Sequence, residues 1–135
     1  MNPFYQKELK PWGYEIILTP PDWPVTGKIA FTKAGNRWSF QYHEKKTETI
    51  CLREGEAEIW LEDEKGEVKK IPMEKLKGYN VKPLKKHRFC AITDCLTFEI
   101  STREEGTTYR LEDDYRRPDE TEESGEEERK KNLVK

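Results

Sequence analysis

Apolar and polar residues alternate with a period of two along most of the chain, the signature of half-buried β-strands. RWSFQYHEK (37–45) sets Trp38, Phe40 and Tyr42 on one face and Ser39, Gln41 and His43 on the other. EAEIWLED (56–63) alternates in the same way, and YEIIL, KIAFTK, ETICL, EVKKIPM, YNVKP, HRFCAIT and CLTFEIST read as further short strands. Turn signals separate them: the prolines of TPPDWP, Ala34-Gly35-Asn36, Arg53-Glu54-Gly55 and Glu64-Lys65-Gly66. MEKLKG reads as a short helical turn. Many short strands with regular turns and almost no helical period predict an all-β sandwich or barrel of about ten strands. Its interior should receive Ser39, Gln41, His43, Glu48, Ile50 and Leu52. From Pro118 onward, PDETEESGEEERKKNLVK has almost no apolar residue. It is expected to be a flexible charged tail (118–135) on a single domain (1–117), with a C-terminal helix as the alternative because most of its residues are good helix formers.

Composition narrows the function classes. Lys and Arg number 25 against 27 Asp and Glu, so net charge gives no grip on nucleic acid. No apolar run approaches a membrane span and the N-terminus lacks the apolar core of a signal peptide, so a cytoplasmic protein is expected. Three cysteines, Cys51, Cys90 and Cys95, without a C-x-x-C pair argue against a disulfide framework and against a structural zinc site.

The chemistry concentrates between Gly35 and Gly55. On a strand Gln41 and His43 share a face, and the turn after residue 44 can fold Glu48 back beside them. An amide oxygen, an imidazole and a carboxylate are ordinary ligands of a divalent ion. The second histidine of the chain, His87, would complete a four-ligand set from a neighbouring strand. Three outward aromatics, Trp38, Phe40 and Tyr42, would form an apolar patch, for which a homodimer or a cover from the segment around Trp12 is expected.

The spacing Gly35-x5-Gln41-x-His43-x4-Glu48-x6-Gly55 resembles the first motif of the cupins, G-x5-H-x-H-x(3,4)-E-x6-G, with Gln41 at the first histidine position. KPWGYE, SFQYHEKKTET, KHR and YRLEDDYRR, in that order, are similar to the small cupin domain of type II mannose-6-phosphate isomerases, over roughly residues 9–117. The resemblance implies a jelly-roll double-stranded β-helix. It implies a divalent metal, zinc first and manganese, iron or nickel as alternatives, on Gln41, His43, Glu48 and His87. It also implies isomerisation of a phosphorylated hexose through a cis-enediol. Lys45, where relatives carry a further histidine, would serve as base or phosphate anchor, and Arg88 would hold phosphate. The second cupin motif is degraded around His87. The alternatives are a non-catalytic cupin that binds a sugar or nucleotide sugar, and another cupin enzyme such as an iron oxygenase or an epimerase.

Overall fold

The computed structural model describes residues 2–134, which form twelve strands and one helix. Strands β1 (Gln6–Lys10), β2 (Gly13–Ile17), β3 (Val25–Thr32), β10 (Cys95–Thr102), β5 (Glu48–Glu54) and β8 (Gly78–Val81) lie in that order in one sheet, with β12 (Leu133–Val134) on the outer edge of β1. Strands β11 (Thr108–Glu112), β4 (Phe40–His43), β9 (His87–Ala91), β6 (Ala57–Glu62) and β7 (Val68–Pro72) make the second sheet. Neighbouring strands pair antiparallel in both. The expected all-β jelly roll is what the chain forms. MEKLKG, expected to be a helical turn, is instead an irregular connection from β7 to β8, bridged at Lys75 to Leu52.

The barrel interior changes character along its length. At one end Ile50, Leu52, Ile59 and Phe89 are completely buried and pack with Ala30, Ala57 and Ala91. Trp12 and Trp38 close this core, their rings 5.4 Å apart. Toward the other end the same inward rows turn polar. On β5 the row reads Leu52, Ile50, Glu48; on β3 Thr32, Ala30, Lys28; on β10 Cys95, Thr97, Glu99. One end supplies the hydrophobic driving force and the other is free to hold charge.

Gly35 and Gly55 frame the stretch that matters most. Both have positive φ, 78° and 98°, in the turns entering the β4 segment and leaving β5. At Gly55 a Cβ would also collide with the carbonyl oxygen of Asp94, so the turn excludes any side chain.

The segment expected to be a flexible tail is ordered. Helix α1 (Glu122–Asn132) starts at Thr121, whose hydroxyl accepts from the Ser124 amide in a capping box. Acidic residues occupy its first turn and basic residues its last, as the helix dipole favours. The backbone of Glu120 exchanges two hydrogen bonds with Thr108, 2.7 and 2.8 Å, and β12 pairs with β1. Charge pairing, not apolar burial, holds the segment down, which is why its composition reads as a tail.

Candidate metal centre

His43 ends β4 and Glu48 begins β5, so the four residues between them carry the chain from one sheet to the other. On β9, His87 lies opposite Gln41 in the ladder. Two imidazoles from one sheet therefore meet a carboxylate from the other. His43, Glu48 and His87 each offer a ligand atom within 4.8 Å of the others, and all three are buried. The imidazole centroids are 5.0 Å apart. Glu48 Oε1 lies 3.2 Å from His43 Nε2 and 2.8 Å from His87 Nε2.

The hydrogen bonds behind the rings show what this cluster fits. His87 Nδ1 lies 3.0 Å from the Lys85 carbonyl oxygen, which only accepts, so Nδ1 carries the proton. In the neutral ring the lone pair of Nε2 faces the Glu48 carboxylate, and among the described residues Nε2 is buried without a hydrogen-bond partner despite the short distance. That neutral ring sets acceptor against acceptor, an arrangement that fits a cation between them. His43 Nδ1 sits 2.8 Å from the Thr108 hydroxyl, which can accept from the ring while Nε2 binds an ion. Burial and the neighbouring Lys46 push the His43 imidazole down to about 4, so it stays neutral and a competent ligand. Burial would raise Glu48, but the Lys46 ammonium beside it is the leading opposing charge and holds the carboxyl well below its usual range. Two imidazoles and an ionised carboxylate fit a divalent transition ion. Gln41, the fourth expected ligand, lines the same lumen, with its Oε1 accepting from the Ser39 hydroxyl at 2.5 Å.

The centre opens into a lumen of about 640 Å3, mouth included, that is lined by six glutamates and six lysines and arginines. Lys28 meets Glu15, Glu99 and Glu104 at 3.3 to 3.6 Å. Burial pushes the Glu99 carboxyl up to about 7 against the pull of Lys28. Burial opposes the charge on Lys46 too, but Glu104 and Glu48 outweigh it and raise the ammonium above its ordinary value.

Two expected catalytic residues lie elsewhere. Lys45 is exposed and does not line the lumen; the strand ends at His43 and the chain bends, so the alternation that would have turned Lys45 inward stops. Lys46 enters instead, 3.4 Å from Glu48 and 3.3 Å from Glu104. Arg88 follows His87 on β9 and so points to the opposite face of its sheet. There it is fully buried, donating from Nε to the Trp38 carbonyl and from Nη2 to the Glu112 carbonyl, with Trp60 over its guanidinium. It builds the outer face of that sheet and does not reach the lumen.

The expected aromatic patch also differs. Trp38 precedes the regular part of β4 and turns inward, whereas Phe40 and Tyr42 are covered by Trp60 and Tyr109, with centroids 5.8 and 4.9 Å away.

Solved structures provide the comparison. CapF of Staphylococcus aureus, a capsular polysaccharide assembling protein, superposes with a TM-score of 0.69 at 17% identity, over 83% of this chain and 33% of CapF. Oxalate decarboxylase of Bacillus subtilis gives a TM-score of 0.67 at 16% identity, over 82% of this chain and 33% of that one. The fold is that of the cupins. KdgF from Halomonas sp. gives 0.62 at 16% identity, over 73% of this chain and 87% of KdgF. This chain thus spans about a third of CapF and of the decarboxylase. The Bacillus subtilis decarboxylase carries Mn(II) centres. No protein-family model matches the sequence, and no curated protein sequence matches it. No helix among the described residues is long and apolar enough to cross a membrane.

Sequence reading missed Lys28, Lys46, Glu99 and Thr108. A signal existed for two of them. In KIAFTK and CLTFEIST the charged Lys28 and Glu99 share their faces with small residues, while the large apolar residues lie opposite. The convention that apolar faces point inward hid them.

Proposed function

We propose that this chain is a divalent-metal-dependent isomerase of a phosphorylated hexose, of the mannose-6-phosphate isomerase type. The observation that carries the reading is the convergence of His43, Glu48 and His87, with an unpartnered Nε2 facing a carboxylate, at one end of a charged lumen. The sequence words shared with type II mannose-6-phosphate isomerases supply the substrate class. CapF, named for polysaccharide assembly, and the Mn(II)-bearing decarboxylase show that this fold serves carbohydrate-related and metal-bearing proteins.

A divalent ion on His43, Glu48 and His87, with Gln41 beside them, supplies Lewis acidity at a carbonyl oxygen. The remaining work falls to the lumen. Glu99, with its carboxyl near 7, can take a proton from one carbon and return it to the next. The C2–H electrons form the C1–C2 double bond of an enediol while the C1 carbonyl oxygen takes a proton from solvent water. O2 then gives its proton back to that water as the C2 carbonyl forms, and the double-bond electrons take the proton held on Glu99 at C1, leaving Glu99 a carboxylate again. Lys46, fixed by Glu48 and Glu104, remains cationic and holds the oxygens on which negative charge develops.

The test is interconversion of mannose 6-phosphate and fructose 6-phosphate by chelated, then zinc- or manganese-reloaded protein. Activity should return with metal. Glu99→Gln should keep the metal and lower kcat by at least ~10²-fold. Reloaded protein that binds a nucleotide sugar but turns over no hexose 6-phosphate would identify a binding cupin instead.

A further inference from the structure

The lumen mouth contains a group that neither the metal centre nor the proton transfer uses. Arg110 on β11 has a side chain only 5% exposed, and among the described residues its Nε is buried without a hydrogen-bond partner. Arg117 and Arg129 line the same mouth. Glu120 stands between two of them: its Oε2 is 3.2 Å from Arg110 Nη2 and its Oε1 is 3.7 Å from Arg129 Nη1, while Arg117 Nε is 2.9 Å from Asp113 Oδ2. The placement is built in. Gly125 is buried in the first half of α1, and a Cβ there would run into the Glu120 carboxyl. Glycine at that helical position costs about 1 kcal/mol against alanine and is what leaves room for the carboxylate.

The donor set indicates what the mouth takes. Three guanidinium forks meet at one end of the lumen, and Asp113 and Glu128 behind Arg117 and Arg110 already offset part of their charge. A ligand there is selected by the number of acceptor oxygens it brings to those forks in a partly closed space. A phosphomonoester, at about −1.5 to −2 near neutral pH, brings several, where a carboxylate such as that of Glu120 brings one charge and two oxygens.

We propose that Arg110, Arg117 and Arg129 form the subsite for the phosphate of a phosphomonoester, and that Glu120 occupies it as a built-in competitor until the ligand displaces it. This deepens the isomerase reading and rests on it for the sugar, but not for the anion. Phosphate takes the place of the Glu120 carboxylate on Arg110 and Arg129 and satisfies the orphan Nε. The C-terminal segment is then part of the ligand site, since Glu120, Arg129 and Gly125 all lie beyond residue 117.

Calorimetric titration of the full chain, metal-free and zinc-loaded, with inorganic phosphate and with mannose 6-phosphate tests this. Both ligands should bind the wild type, more tightly when zinc is present. Glu120→Gln should bind phosphate several-fold tighter. Arg110→Met should weaken it by at least about tenfold, the scale of a charge-assisted hydrogen bond. Arg129→Met, on a part-exposed helical position, repeats the test where loss of folding is not a concern and should weaken binding in the same direction. No phosphate binding in wild type and Glu120→Gln, or affinities indifferent to both arginine changes, overturns the proposal. A nucleoside diphosphate sugar that binds more tightly than the hexose phosphate, and depends on the same arginines, overturns the monoester assignment. If the arginine pattern holds but no isomerisation follows, the isomerase reading falls and the subsite stands. If isomerisation occurs with a KM unmoved by Arg129→Met and Glu120→Gln, the subsite falls and the isomerase stands.

Discussion

His87 and Glu48 illustrate how a single hydrogen bond fixes chemistry. The Lys85 carbonyl dictates the His87 tautomer, and that tautomer turns a lone pair toward Glu48. The Thr108 hydroxyl, which can accept from Nδ1, orients the His43 ring. We expect Thr108→Val to lower zinc affinity by about 10- to 100-fold with the fold intact, as removal of an outer hydrogen-bond partner does, measured by competition with a chromogenic chelator. Glu99 gives a pH prediction. Its folded carboxyl titrates at about 7 and its ordinary value is 4.5. Between those values the folded protein holds a proton that the unfolded chain has released, so the group costs stability as pH rises through this window and a constant amount above it. Glu99→Gln should therefore raise the Tm at pH 8, by the equivalent of at most about 3 kcal/mol, and leave it near wild type at pH 4. A stabilisation that is larger at pH 4 would contradict this. The inward placement of Gln41, His43 and Glu48 around one lumen was legible in the sequence because strand period and motif spacing agree up to His43. Lys45 was misread because a period says nothing about where a strand ends.

At the scale of elements, the turns were legible and the C-terminal segment was not. Gly35 and Gly55 both have positive φ, but only Gly55 also lies against backbone. Gly55→Ala should cost more than Gly35→Ala, by about 1 kcal/mol or more, because steric collision adds to the strain that both share; urea unfolding would measure it. Helix α1 carries polar residues on all sides, so no apolar stripe announces it. What stabilises it is specific pairing: the Thr121–Ser124 cap, and Arg110, Arg117 and Arg129 against Glu120 and Glu128. Composition cannot foresee such pairs, because they depend on where β11 ends. Deleting residues 119–135 should leave the barrel's far-ultraviolet β signal and weaken zinc binding, since Thr108 loses both backbone hydrogen bonds to Glu120. Unchanged zinc affinity would show that the segment does not support the centre.

The whole molecule is partly inverted. On the outside of the larger sheet, Ile16, Ile29, Phe31, Leu96, Phe98 and Ile100 lie opposite the inward Glu15, Lys28, Ala30, Thr97 and Glu99. Leu9 and Ile100 on this face are 54% and 61% exposed. An apolar face of that breadth is rarely left wet, and a two-fold pair of identical faces covers it with no other component. We propose that the expected homodimer, if formed, pairs through this sheet and not through the strand of Phe40 and Tyr42. Light scattering should give a dimer mass for wild type and a monomer for Phe98→Glu; a wild-type monomer at micromolar concentration would refute the assignment. Alternation made the two-faced sheets legible, but which face was inner could not be read, because a charged lumen reverses the usual rule. The hand-over between His43 and Glu48 has a mechanical consequence. An ion gripped by two histidines of one sheet and a glutamate of the other would act as a rivet through both. Loading it should slow amide exchange on β4, β5 and β9 together, and stripping it should let the two halves of the barrel breathe apart.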